Sequence, residues 1–191
     1  QALSGVDIAL WDIAGKVANL PLYQLIGGAH RQHIPVYGYG MMLRPEPLED
    51  LTVRFQEEAR AIKDMGFVAT KMKVGLGPRA DIKLAEAVRR GIDDDFRFMV
   101  DANHCYTTSD AFTVGRALED LGAYWFEEPI APEDLQGYRE LRAGLNVNIS
   151  GGEAEFNRWG WRSLLESRGL DIAQPEVCAL GGISEYLRVL A

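Results

Sequence analysis

Asp101, Glu127 and Glu153 recur at intervals of 26 and 26 residues. Each closes a short apolar run: Phe98-Met99-Val100, then Tyr124-Trp125-Phe126, then Val147-Asn148-Ile149 with a Ser-Gly-Gly step. Each also precedes a segment of helical character. A strand, a helix and two short loops take about that many residues. The spacing therefore predicts three carboxylates at successive strand ends, on the same edge of one parallel sheet. Carboxylates that converge in this way cannot all stay ionised unless a cation stands among them. They are the hard oxygen donors that Mg²⁺ prefers, so Asp101, Glu127 and Glu153 read as a candidate metal site. Any one of these acids alone reads equally well as a helix N-cap or a surface charge, but equal spacing makes that hard to sustain for all three. Glu128 follows Glu127 directly and is expected to face away from it, so one of the pair reaches the metal.

An earlier run, VATKMKV at 68–74, supplies positive charge. Strand alternation puts Lys71 and Lys73 on one face, and Thr70, Met72 and Val74 on the other. Two inward lysines are costly unless something anionic lies between them. Mutual repulsion and partial burial are expected to lower the pKa of at least one, which a lysine base requires. A solvated pair at a strand end is the plainer alternative; carboxylates on three later strands argue against it.

The elements that must position these groups follow from periodicity. An opening helix (Val6, Leu10, Ile13, Val17) ends near Leu20-Pro21, and a short turn through Leu22 to Ile26 stops at Gly27-Gly28. Strands are expected at 33–40, 68–74, 96–101, 123–128, 147–150 and 170–174. Helices are expected at 48–65, 80–92, 109–121, 134–143 and 158–168, with a sixth beginning near Ile183. Thr108 or Ser109 is the expected N-cap of the third of these. Strand–helix units with a period near 25 residues argue a parallel α/β architecture. An open doubly wound sheet and a closed barrel both remain allowed, and carboxylates at successive strand ends favour the barrel, whose mouth they would ring. The expected organisation is a helical segment over 1–32 and a partial (β/α) TIM-type barrel over 33–191, with about six of eight βα units. Chain ends that fall within helical patterns, without caps, suggest an internal piece of a longer enzyme.

Composition narrows the classes. The chain has 191 residues, 47% of them hydrophobic and 25% charged, which suits a soluble globular domain with a sizeable core. A net charge of −8 argues against nucleic-acid and anionic-membrane partners. No apolar run is long enough to span a bilayer and no signal peptide opens the chain, so a cytoplasmic location is expected. Cys105 and Cys178 lack metal-ligand spacing and read as reduced thiols.

KMK at 71–73, DAN at 101–103, WFEEP at 125–129, GGE at 151–153 and QPEVCALGG at 174–182 together resemble the mandelate racemase/muconate lactonizing enzyme family of the enolase superfamily. The opening SGVDIALWDIAGKVANLPLYQLIGG is similar to the segment that precedes the barrel there, so the resemblance covers essentially the whole chain. It implies that Asp101, Glu127 and Glu153 bind Mg²⁺. It further implies that Lys73 is the general acid/base, and that Lys71 neutralises the substrate carboxylate and tunes Lys73. Asn103 would hydrogen-bond a substrate oxygen. His104, next along the mouth, would contact substrate or protonate a leaving hydroxyl. Glu176 stands where racemase-like members carry an Asp that partners a His on the seventh strand. Muconate-lactonizing and dipeptide-epimerase members carry a lysine on the sixth strand; neither Gln174, Glu176 nor Ala179 supplies one. The implied chemistry is abstraction of a proton α to a carboxylate through an enediolate, in the way known for enolase-type sites. The expected outcome is dehydration of an acid sugar to a 2-keto-3-deoxy acid, with racemisation or epimerisation of a 2-hydroxy acid as the alternative. The implied partners are a small carboxylate substrate and, for the parent, further copies of itself.

Two other readings compete. Gly75-Leu76-Gly77-Pro78-Arg79-Ala80 imitates a dinucleotide-binding GxGxxA, with Asp101 near the distance of a ribose-binding acid. That reading leaves Lys71, Lys73, Glu127 and Glu153 unexplained. An isolated, unclosed barrel piece without activity is the non-enzymatic alternative.

Overall fold

The computed structural model describes residues 1–191. In chain order the elements are α1 (Ala2–Ala18), α2 (Leu22–Leu25), β1 (Gly38–Tyr39), α3 (Leu48–Asp64), β2 (Ala69–Lys73), α4 (Pro78–Gly91), β3 (Arg97–Asp101), α5 (Thr108–Asp120), β4 (Trp125–Glu127), α6 (Leu135–Gly144), β5 (Asn148–Gly151), α7 (Asn157–Ser167), β6 (Ile172–Ala173), α8 (Val177–Leu180) and α9 (Ile183–Leu190). The chain divides into two compact units. One holds residues 36–151 and 167–173; the other holds residues 1–35, 152–166 and 174–191.

The first unit is built on a six-stranded sheet, parallel throughout, in the order β1-β2-β3-β4-β5-β6. A doubly wound sheet reverses its strand order at a switch point. Here every strand lies beside its sequence neighbour, which is the wall of a (β/α) barrel carrying six of its usual eight strands. Alternation divides the side chains as the sequence predicts. Met72, Val74, Phe98, Val100, Phe126 and Ile149 join Leu51, Phe55, Leu84, Val88, Val114, Leu118 and Leu141 of the helices in one buried core. Lys71, Lys73, Asp101 and Glu127 take the opposite face.

Local chemistry sets the boundaries. Gly66, at φ 89°, ends α3 in the left-handed region that only glycine adopts freely. Gly91 is buried where α4 meets the backbone of Gln56, so a Cβ there has no room. The N-cap of α5 is Thr107 rather than Thr108 or Ser109; its hydroxyl accepts the Asp110 N–H at 3.2 Å, a bond worth about 1 kcal/mol. Asp134 caps α6 by accepting the Gly137 N–H at 2.9 Å. β1 is much shorter than the expected 33–40. Pro35 has no N–H to give a ladder, and Met41, at φ 53°, gives its N–H to the Glu58 carboxylate rather than to a strand.

In the second unit, Ser4, Asp7 and Trp11 of α1 each bond the segment that starts α9: Ser4 Oγ accepts the Gly181 N–H, Asp7 accepts the Ser184 N–H, and the Trp11 indole donates to Ser184 Oγ. Arg158 forks onto Glu185 at 2.8 and 2.7 Å. The short helix α8 was not signalled by periodicity, being a single turn capped by Glu176. No helix is long and apolar enough to cross a membrane.

Candidate active site

Parallel register brings four charged groups together. Lys73 pairs with Asp101 across β2 and β3, and Asp101 pairs with Glu127 across β3 and β4. Residues in register point the same way, so the three strand ends present alternating charge on the face away from the core. Lys71 Nζ lies 2.8 Å from each Glu127 oxygen and 3.1 Å from Asp101 Oδ2. Lys73 Nζ lies 2.5 Å from both Asp101 Oδ2 and Asn103 Oδ1. The carboxylates are 0% and 1% exposed, so two buried anions are balanced by two ammonium groups. The Trp125 indole donates to Glu127 Oε2 at 3.0 Å, and the rings of Tyr37 and Tyr39 flank the Lys71 ammonium at 5.8 and 5.7 Å. Those contacts hold Lys71 as a cation.

The electrostatics depart from the expectation of a lowered lysine. Burial works to lower Lys71, but the hydrogen bonds and charge of Glu127, with the charge of Asp101, outweigh it and hold the group above the usual lysine value. Lys73 behaves alike: burial is overcome by its bond to Asp101, and repulsion from Lys71 is a smaller effect. Asp101 is held below the usual carboxylate range; burial opposes this, and its bond to Lys73 and the charges of both lysines prevail. Opposite charge at hydrogen-bond distance decides the sign, not lysine–lysine repulsion.

The loop after β3 continues the pairing beyond the strand. Ala102, His104 and Tyr106 donate their N–H groups to the carbonyls of Glu127, Glu128 and Pro129 at 2.9, 2.8 and 3.2 Å. Asn103 and His104 adopt positive φ, at 41° and 66°, which lifts both side chains to the strand ends. His104 Nε2 reaches Glu128 Oε2 at 3.2 Å. Ser150, in register with Glu127, is fully buried and its hydroxyl makes no hydrogen bond.

Glu153 and Glu176 belong to the other unit. Glu153 lies two residues past the end of β5 and is exposed. Glu176, also exposed, caps α8 by accepting the Cys178 N–H at 2.8 Å. The structure gathers no group of three or more His, Cys, Asp or Glu side chains able to hold a metal ion. Of the expected ligand set it brings Asp101 and Glu127 together. Both cysteines are free.

The loop that imitates a dinucleotide motif is already occupied. Asp81 of α4 accepts the N–H groups of Gly75, Leu76 and Gly77 at 3.1, 3.1 and 2.9 Å. Those amides are the ones a pyrophosphate would need, so the dinucleotide reading fails. Sequence reasoning missed Asp81, Tyr106, Trp125 and Ser150. Alternation from Glu127 could have found Trp125, and sheet register Ser150; nothing in the sequence pairs Asp81 with Tyr106.

Comparison with known proteins agrees with this arrangement. Residues 54–191 match the enolase C-terminal domain-like family, and residues 1–27 match the mandelate racemase/muconate lactonizing enzyme N-terminal domain. The chain belongs to the mandelate racemase/muconate lactonizing enzyme family of the enolase superfamily. It is 39% identical over 191 residues to a D-galactarolactone cycloisomerase of Agrobacterium fabrum, covering 98% of this chain and 49% of that protein. The structure of a 3,6-anhydro-D-galactonate cycloisomerase from Zobellia galactanivorans superposes with a TM-score of 0.90 at 43% identity, covering 98% of this chain and 51% of that one. A mutant L-talarate/galactarate dehydratase liganded with Mg and L-glucarate superposes with a TM-score of 0.87 at 33% identity, covering 99% and 47%. The chain spans about half the length of the curated relatives it matches, among them an arabinonate dehydratase of Saccharolobus solfataricus and a 3,6-anhydro-alpha-L-galactonate cycloisomerase of Streptomyces coelicolor.

Proposed function

We propose that the protein to which this chain belongs abstracts a proton α to a carboxylate of an acid sugar and then expels the β oxygen, giving a 2-keto-3-deoxy acid. The alternating Lys73–Asp101–Lys71–Glu127 array at three strand ends carries this reading. Lys73, held as a cation by Asp101 in this structure, is the base once that bond gives way, and Lys71 is the cation that meets the substrate carboxylate. Asn103 orients a substrate oxygen, and His104 delivers a proton to the departing oxygen. Residues 1–32 are the helical segment leading into the barrel, and 33–191 form its catalytic part.

Asp101 and Glu127 fit a divalent cation: both are hard oxygen donors, buried, in register and on one face. We assign them, with Glu153 from the turn after β5, as Mg²⁺ ligands. When bound, the ion would supply Lewis-acid stabilisation of the negative charge that proton removal creates. It would compete with Lys71 and Lys73 for the same carboxylate lone pairs. Glu176 is proposed to support a second acid/base.

The relatives favour one further reading. In an anhydro sugar acid bridged at C3, the β oxygen is part of a ring. The same elimination then opens the ring and loses no atoms, so the enzyme is a cycloisomerase. Proton NMR of the full-length protein with Mg²⁺, against linear and cyclic acid sugars, separates the two. Loss of water to a 2-keto-3-deoxy product establishes the dehydratase, and ring opening at constant mass the cycloisomerase. α-Deuterium exchange without elimination marks a racemase or epimerase and overturns both.

A further inference from the structure

Asp81 is 1% exposed, and its carboxylate accepts four hydrogen bonds: three from the amides of Gly75, Leu76 and Gly77, and one from the Tyr106 hydroxyl at 2.7 Å. The amides belong to the loop that leaves β2 two residues after Lys73. Gly75 and Gly77 hold φ of 144° and 103°, a conformation that turns these amides inward. Asp81 lies in the first turn of α4, where the helix dipole favours a negative charge. The buried anion is therefore fully compensated.

Tyr106 is a junction of a different kind. Its ring packs on Phe126 of β4 at 6.0 Å, its N–H donates to the Pro129 carbonyl at 3.2 Å, and its hydroxyl reaches Asp81. It ends the loop that carries Asn103 and His104. One carboxylate thus joins the loop after Lys73 to the loop after Asp101, and Tyr106 joins both to the strand of Glu127. Those three strand ends carry the groups assigned above to proton abstraction.

We propose that Asp81 is a positioning residue for that reaction, acting through Tyr106 to hold the Lys73 and Asn103 strand ends in fixed register. The inference rests on the function proposed above. Lys73 Nζ meets Asn103 Oδ1 at 2.5 Å, a contact between the end of β2 and the loop that Tyr106 anchors. Misplacement of a reacting group by about 1 Å costs on the order of a hundredfold in rate. Asp81 touches none of the reacting groups itself.

The test uses the full-length protein with Asp81→Asn and Tyr106→Phe. Tyr106→Phe deletes a single hydroxyl and keeps the ring on Phe126. The expected result is a fall of about tenfold to a hundredfold in kcat at nearly constant KM. Faster amide hydrogen exchange at His104 and Tyr106 should accompany it in both variants, although Asp81 lies over twenty residues away in the chain. A purely local role predicts faster exchange confined to Gly75–Gly77 in Asp81→Asn and an unchanged kcat in Tyr106→Phe; either result overturns the proposal. If Asp81→Asn does not fold, Tyr106→Phe decides alone. If the wild type turns over no acid sugar, the functional reading falls, and the exchange at His104 and Tyr106 still decides the clamp.

Discussion

The two ends of the strands treat charge in opposite ways. At the end where β2, β3 and β4 finish, Lys71, Lys73, Asp101 and Glu127 neutralise one another through side chains. At the end where β3 and β4 begin, a single Arg89 is satisfied by backbone alone. It donates to the carbonyls of Leu121, Asp93, Phe96 and Gly122 at 2.9, 2.8, 3.3 and 3.3 Å and lies over the Phe98 ring at 4.7 Å. Carboxylate bonds hold the lysines above their usual value, whereas burial holds Arg89 below its own. Backbone carbonyls cannot swing away as side chains do, so Arg89 is a fixed bolt. Carboxylates and ammonium groups can exchange partners with a metal or a substrate, so the other end is poised for chemistry. In (β/α) barrel enzymes generally, the C-terminal strand ends carry function and the opposite face stability.

Asp101→Asn removes the partner of Lys73 and leaves two ammonium groups facing one carboxylate. Breaking a buried pair from one side costs about 3–5 kcal/mol. The variant should unfold at lower urea, and Mg²⁺ affinity by calorimetry should fall at least about tenfold; unaltered affinity would remove Asp101 from the ligand set.

Arg89→Ala should cost roughly 2 kcal/mol, from lost hydrogen bonds to carbonyls and lost packing on Phe98. It should leave α-proton exchange by the full-length protein unchanged. Equal losses of stability and exchange would erase the distinction between the two ends.

The smallest effect concerns the other unit. Bonds to Arg158 hold Glu185 down to about 2, against a modest opposing effect of burial. A depressed carboxylate contributes stability above its unfolded value, about 4.3, and loses it as pH falls through its folded one. Urea midpoints of the wild type should therefore decline as pH drops from about 4.3 toward 2, and less steeply in Glu185→Gln. Parallel declines would show that Glu185 carries no such linkage.

Much of the charged end was legible because strand alternation and a repeated period act over short range. Lys71 and Lys73 on one face, Thr70 and Met72 on the other, and the pairing of Asp101 with Glu127 all follow from those two rules. The sign of the lysine shifts did not follow, since it depends on distances between strands: repulsion between neighbours in sequence is visible, while an Asp101 oxygen at 2.5 Å is not. The Asp81–Tyr106 bond was hidden for the same reason, joining the first turn of α4 to the loop after β3. β1 was overestimated because β-branched composition at 33–40 says nothing of the φ of Met41. The single turn α8 is too short to have a period.

The proposed function turns on Lys73 moving the α-proton. Proton NMR in D₂O, with the full-length protein, Mg²⁺ and a panel of acid sugars, tests it by comparing the wild type with Lys73→Ala. The wild type should show α-deuterium exchange and elimination. The variant should lose about 10²–10⁴-fold of both, with Mg²⁺ binding retained. Undiminished exchange in a folded Lys73→Ala would contradict it.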